Sequence, residues 1–429
     1  MKPKHFGKRT VMSVACACAL AAPAVHAETL GSFLAQGQFN GVVRSYYFSR
    51  LYTSKPPNAN AFALGGMFNY TTPTFWDGFG MGVSFFTASD VGTHGANPAT
   101  TDTTLMGLAP NLNALGQAYV QYAIPHRLLI RAGDQEIHNP WINGGFGSRI
   151  LVSTYQGVTA EYSPVRQLHL YGLDINNWKS RTSANYNNDN LYYPTNYGGD
   201  TLYGGETKLG IGAPPTTGTV AVGAEGHVAG LNAQLWYYNF NQFARMFYTN
   251  DVYTLKTGSP VDPFLGGQYV SETNSNSLLG NVDSRVEGAI AGVQIPHGAL
   301  SWGYDHVPLK TGAYGSGSVV SPYTAGYATD PLYSTSMIRG MVELGPGSGW
   351  RTKFDYNLLQ NKIHVGLAYG QYRTYLAGPS HDVYADLIYT PGGRFKGLSI
   401  RDRVEVSKGR ANPGGHSFIY NRVMLAYAF

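Results

Sequence analysis

The sequence predicts an all-β chain folded as a transmembrane antiparallel β-barrel of 18 strands. Three observations carry this: segments with a two-residue apolar period, connections that alternate between short and long, and a composition poor in charge and rich in aromatics. Of the 429 residues only 13% are charged, about half the usual quarter, and 32 are tyrosine. A water-soluble chain of this composition would struggle to cover its surface.

The first 27 residues form a separate element. Lys2, Lys4, Lys8 and Arg9 make a basic head, Val11 to about Ala22 is apolar, and Val25-His26-Ala27 places small side chains at the two positions that signal peptidase reads. The expected division is a signal peptide, 1–27, and a barrel domain, 28–429. Cys16 and Cys18 lie inside the apolar run without a leucine-type lipobox, so no lipoprotein is expected. The mature chain then holds no cysteine, which excludes disulfides and thiol chemistry. Without the four basic residues, 26 bases face 25 acids and the formal charge falls from +5 to +1, so nucleic acid is not an expected partner. No later stretch approaches the run of about 18 apolar residues that a helical span needs.

Strands are expected near 38–50, 61–72, 79–89, 115–124, 127–133, 155–163, 166–175, 219–228, 230–240, 246–256, 262–272, 284–295, 298–306, 349–358, 361–372, 381–390, 395–406 and 417–429. Short connections occur at "IPH", "SPV", "AG", "PH", "QN" and "PGG"; nearly all long ones fall at 90–114, 134–154, 176–218 and 307–348. Tight turns on one rim and long loops on the other are the pattern of an outer-membrane barrel with short periplasmic turns and long extracellular loops. Closure has a physical cause, because a bilayer core satisfies no backbone hydrogen bond and an open sheet edge there is costly. Within 361–372, Ile363, Val365, Leu367 and Tyr369 alternate with Lys362, His364, Gly366, Ala368 and Gly370, a greasy face and a small or polar one. About 18 strands enclose an aqueous channel rather than a filled core. A soluble propeller or β-helix would show internal repeats, and a sandwich would show polar outer faces; neither is present.

Parity also sorts the charges. Arg44 and Arg50 on the first strand, Arg351, Lys353 and Asp355 near the fourteenth, Arg401 and Arg403 near the seventeenth and Arg422 on the last are expected inside, while Val423, Leu425, Tyr427 and Phe429 face lipid. Because closure makes the last strand a neighbour of the first, these cations should line one wall. Guanidinium and ammonium groups in a narrow pore offer a carboxylate successive partners, each weak enough to release it. The bland alternative is that they pair with inward acids such as Asp382, Asp386 and Glu405 and stiffen the wall. The loop 133–154 begins after inward Arg131 and holds Arg149; Gly144-Gly145, Trp141 and Phe146 suit a loop that folds inward.

From about residue 37 onward the chain resembles the OprD-like outer-membrane porins. The resemblance is carried by "GVVRSYYFSR", "FGMGVSFFTASDVGTHG", "RAGDQEIHNP" with "SRIL", "LGGQYVSET" followed by "LLGNVDSR", "GWRTKFDYNL" and "FKGLSIRDRVEV". It implies a substrate-selective channel in the bacterial outer membrane, narrowed by the third loop and the 307–348 loop, with a basic ladder guiding small carboxylates. Carried onto this chain, the ladder is Arg44, Arg131, Arg149, Lys353, Arg401, Arg403 and Arg422. The aromatic C-terminus resembles the signal read by the barrel assembly machinery. The implied partners are therefore outer-membrane lipid, that machinery during biogenesis and carboxylate solutes, with monomer or homotrimer left open. Asp402 departs from the family pattern, since parity points it at lipid. It requires either a bulge or a polar boundary.

No HExxH, GxSxG or P-loop motif occurs, and His94, His138, His297 and His381 lack metal-ligand spacing. "GFGMG" at 78–82 precedes a strand, not a helix, and reads as turn and packing. No enzyme activity, cofactor or metal is expected. The competing classes are a barrel protease or lipase and a loop-based receptor or adhesin with a blocked lumen; a plugged transporter is disfavoured because the first strand follows within about ten residues of the expected cleavage.

Overall fold

The computed structural model describes residues 27–429 except 55, 94, 96, 98, 145–146, 187–190, 193–206, 209–217, 275–277 and 321–329. Period-two alternation becomes one sheet closed on itself: β1 (Gln38–Tyr52), β2 (Ala59–Thr71), β3 (Phe79–Ser89), β4 (Asn111–Ile124), β5 (Leu128–Gln135), β6 (Thr154–Val165), β7 (Leu168–Lys179), β8 (Thr219–Val228), β9 (Leu231–Phe240), β10 (Ala244–Thr254), β11 (Asp262–Thr273), β12 (Asp283–Ile295), β13 (Gly298–Val307), β14 (Gly347–Leu358), β15 (Ile363–Thr374), β16 (Gly378–Tyr389), β17 (Leu398–Gly409) and β18 (Phe418–Ala428). Each of the 18 expected strands has its counterpart in this 18-stranded antiparallel sheet.

The two largest differences lie at the outer ends. β4 starts at Asn111 rather than 115, and β7 runs to Lys179 rather than 175. "NLNA" and "NNWK" are polar there because the strands continue above the bilayer, where pairing persists and apolar alternation fades. A short helix α1 (Ala27–Ala35) was not legible in the sequence; it begins beside the expected cleavage point, and residues 1–26 lie outside the described ones. A two-stranded hairpin, Leu191–Tyr192 with Thr207–Lys208, stands apart from the barrel sheet within the 176–218 connection.

Closure is made by β1 and β18, paired from Val42↔Ala428 to Tyr52↔Phe418. The terminal residue takes part, because the Phe429 amide donates to the Gly41 carbonyl at 3.0 Å and the Gly41 amide returns the bond at 3.1 Å. Val423, Leu425, Tyr427 and Phe429 are all exposed on the outer face, as parity required. The inner face of β18 carries buried Tyr420, Arg422 and Met424. On the short-turn rim, Ala229 and Gly230 both take positive φ, +48° and +89°, the geometry of a tight two-residue hairpin.

Asp402 keeps its expected outward position, and β17 pairs with β16 and β18 without a register shift. Instead of a bulge it has a polar neighbour. The Asn421 Nδ2 on β18 donates to Asp402 Oδ1 at 2.6 Å.

Candidate functional site in the barrel lumen

Two long connections turn into the barrel. The first is residues 136–153, between β5 and β6. At one end Asn139 Oδ1 receives the Tyr238 hydroxyl of β9 at 3.0 Å and the Ile142 amide at 2.8 Å. Beside it Trp141, fully buried, meets Tyr248 of β10 edge-on at 5.9 Å. At the other end Arg44 Nη1 of β1 donates to the carbonyls of Arg149, 2.9 Å, and Ile150, 3.1 Å. β9 and β10 stand halfway round the ring from β1. The loop therefore bridges the lumen and narrows it, with Trp141 as its far anchor; Phe146 lies outside the described residues.

The second connection, 308–346, is held by carboxylates of the wall. Asp305 on β13 accepts the Ser334 amide and hydroxyl, both at 2.6 Å. Glu405 on β17 accepts the amides of Met337, 2.7 Å, and Ile338, 3.2 Å, and the Ser336 hydroxyl, 2.7 Å. Glu272 on β11 accepts the Val320 amide at 2.7 Å. All three acids are fully buried. Arg351 of β14 donates to the Thr335 carbonyl, and the Tyr372 hydroxyl to the Ser334 carbonyl at 2.7 Å. Inside the loop Asp330 accepts the Thr335 hydroxyl at 2.6 Å, and burial pushes its carboxyl up to about 6.

The arginine wall is contiguous on β17, β18 and β1. Arg401 grips Asp386 through Nε, 2.8 Å, and Nη2, a bidentate pair. Arg403 donates to the Tyr384 hydroxyl at 3.0 Å and lies 3.6 Å from the same Asp386. Its cross-strand partner is Arg422, so two like charges face each other. Arg422 is buried between the rings of Tyr420, 4.2 Å, and Phe48, 5.1 Å, and its Nε and Nη2 have no hydrogen-bond partner among the described residues. Arg149 of the bridging loop also lies over the Phe48 ring, at 5.7 Å. Burial disfavours its charge, and the neighbouring Arg422 and Arg181 add to that.

Not every expected member joins this wall. Arg131 sits on β5, stacked on Tyr119 at 4.8 Å and bonded to Gln121 at 3.1 Å. Lys353 on β14 pairs with Asp355 at 2.8 Å. Of the inward acids that might have neutralised the wall, Asp386 does so, whereas Glu405 holds loop backbone instead.

Several lumen groups were not singled out from sequence. Asp102, in the connection 90–110, forms a fully buried pair with Arg50 at 3.0 Å and receives Thr104 at 2.6 Å. Burial alone would raise this carboxyl, but Arg50 and the hydroxyl donors hold it below its ordinary value. Facing the arginine wall, His138, Glu225 and Asn250 line a cavity of about 390 Å³ under the loop. A hydrogen bond donated to the Glu136 carboxylate raises the His138 imidazole above its ordinary value. Inward parity places Arg50 inside and could flag Glu225 as well, but loop partners have no local signal.

A closed antiparallel barrel with its lumen narrowed by inward loops and flanked by arginines defines a porin-type channel. The sequence model "outer membrane porin, OprD family" matches residues 31–314, and the chain belongs to that family of outer-membrane porins. No curated relative matches it by sequence. Among solved structures it is similar to a BenF-like porin from Pseudomonas fluorescens Pf-5 (15% identity, TM-score 0.76, 92% of this chain and 99% of that one). It is similar also to OpdK of Pseudomonas aeruginosa with vanillate (16%, 0.70, 92% and 99%) and to OccK2 (OpdF) of the same organism in complex with glucuronate (15%, 0.71, 92% and 99%). These likenesses fix the fold: an outer-membrane barrel that crosses the bilayer many times.

Proposed function

We propose that the chain is a substrate-selective porin admitting small carboxylate-bearing solutes passively along the path Arg44, Arg131, Arg149, Lys353, Arg401, Arg403 and Arg422, past a constriction that includes Trp141 and Phe146. The observation that carries this reading is Arg422, a buried guanidinium with no hydrogen-bond partner among the described residues, set between Arg403 and Arg149. Three cations so placed repel one another, and a passing carboxylate relieves that repulsion without being trapped, since it is handed from one fork to the next. Arg44 serves the path indirectly by fixing the segment that carries Arg149. Vanillate and glucuronate, found with the two relatives, share a carboxylate and little else. The same reading takes residues 1–27 as a cleaved export signal and 28–429 as the mature barrel, handled by the barrel assembly machinery through its aromatic end.

Planar-bilayer recording tests the proposal. Stepwise conductance, blocked by added carboxylates, is expected. Arg422→Gln should weaken that block about tenfold, the worth of one charge-assisted contact of about 1.5 kcal/mol. Because it removes an unpaired buried cation, heat stability should stay level or rise. A barrel that conducts nothing, or a variant blocked as strongly as the parent, sinks the reading.

A further inference from the structure

A second concave site lies on the periplasmic rim. The turns joining β4 to β5 and β6 to β7 stand side by side, the Ser163 amide donating to the Arg127 carbonyl at 2.8 Å. Between them is a cleft of about 520 Å³. Ile124 and Leu128 give it an apolar floor on the outward face, Leu129, Glu161, Ser163 and His169 close it from the lumen face, and Arg127 and Arg166 line its polar side. Each arginine stands two residues after a turn proline, in Pro125-His126-Arg127 and Pro164-Val165-Arg166. Both are exposed, and neither guanidinium has a hydrogen-bond or ion-pair partner among the described residues. The acid that could neutralise them, Glu161, is held by His169 at 3.2 Å, and Ser163 bonds the same imidazole at 2.9 Å.

The bias extends round this rim. Its turns carry Arg127, Arg166, Lys256, Lys362, Arg394 and Lys396 against the single acid Asp77. Lys256 is already paired with Asp262 at 2.9 Å, whereas the two arginines of the cleft converge unpaired on an apolar floor continuous with the lipid-facing band at Ile124 and Ile130.

We propose that this cleft holds the phosphodiester of an anionic phospholipid from the periplasmic leaflet, with Arg127 and Arg166 binding its oxygens and an acyl chain lying on Ile124 and Leu128. The shared chemistry is an oxyanion that paired guanidinium forks recognise. The floor selects the lipid source, because a free phosphate has nothing to place against leucine and isoleucine. Basic pockets at a membrane boundary bind anionic headgroups in this way.

The full-length barrel in detergent micelles would be titrated with phosphatidylglycerol and bound lipid counted by native mass spectrometry. The double variant Arg127→Gln/Arg166→Gln should bind about 25-fold more weakly, roughly fivefold for each arginine near the surface. Lys256→Gln should bind as the parent does, and excess inorganic phosphate should not displace the lipid. Heat-modified gel mobility reports that each variant is folded. Undiminished binding by the folded double variant overturns the proposal. An equal loss in Lys256→Gln would replace it with diffuse rim charge, and displacement by phosphate with a free-oxyanion site.

Discussion

The two loops inside the barrel differ in the charge of the wall groups that hold most of their backbone. Residues 136–153 offer backbone carbonyls to a wall cation, Arg44; residues 308–346 offer backbone amides to wall anions, Asp305, Glu405 and Glu272, beside the two carbonyls taken by Arg351 and Tyr372. The difference sets the electrostatics of the pore. Carboxylates engaged by loop amides are not available to neutralise arginines, so a wall containing many acids still holds a buried guanidinium, Arg422, with no hydrogen-bond partner among the described residues. On the proposed reading, the acids narrow the channel and the bases are left to attract the solute.

Removing an anion anchor should have the largest effect. Glu405→Ala leaves the buried amides of Met337 and Ile338 without their acceptor, at about 2–4 kcal/mol together. The expected result is a barrel with a lower denaturant midpoint and a larger, noisier single-channel current. If current and midpoint match the parent, loop 308–346 is held by other contacts. Removing the cation anchor should do less: Arg44→Ala leaves two carbonyls without their charged donor, costing about 1–2 kcal/mol. Conductance should rise and carboxylate block weaken, with Arg44→Lys restoring part of each. Equal defects in Ala and Lys variants would show that the double hydrogen bond, not charge alone, places the loop.

The smallest effect is one of pH. Asp330 sits at about 6 in its buried setting, above its ordinary 3.8. Its folded value is raised, so its contribution to loop closure is full below about pH 4 and is lost as pH rises through about 6. Going from about pH 8 to about pH 5 should lengthen closed dwell times, by an amount on the order of 1–2 kcal/mol. Asp330→Asn should flatten this dependence; if it persists unchanged in that variant, another group titrates.

Much of this architecture was legible because a strand crossing a membrane must write its two faces into alternate residues. That rule oriented Arg422, Arg401, Arg403 and even Asp402 correctly, and it placed Phe429 on lipid. It failed at the strand ends, where the outward residues of "NLNA" are asparagines and the buried ones are Leu112 and Ala114. It also could not name the loop partners. Arg44 reaches carbonyls 105 and 106 residues away and Glu405 reaches amides 68 and 67 away, and such contacts depend on closure rather than on neighbouring sequence. The parity rule thus identifies which groups enter the pore but not which of them the loops then occupy.

The pairing of β1 with β18 has a consequence for how the protein comes into being. The mutual hydrogen bonds of Gly41 and Phe429 join strands at the two ends of the sheet, so closing the barrel needs both of them in place. A chain arrested even one strand short would carry two raw sheet edges, each a template for aggregation. Closure is therefore a property of the whole sheet rather than of any part of it: with either edge strand missing, the remaining seventeen do not make a pore.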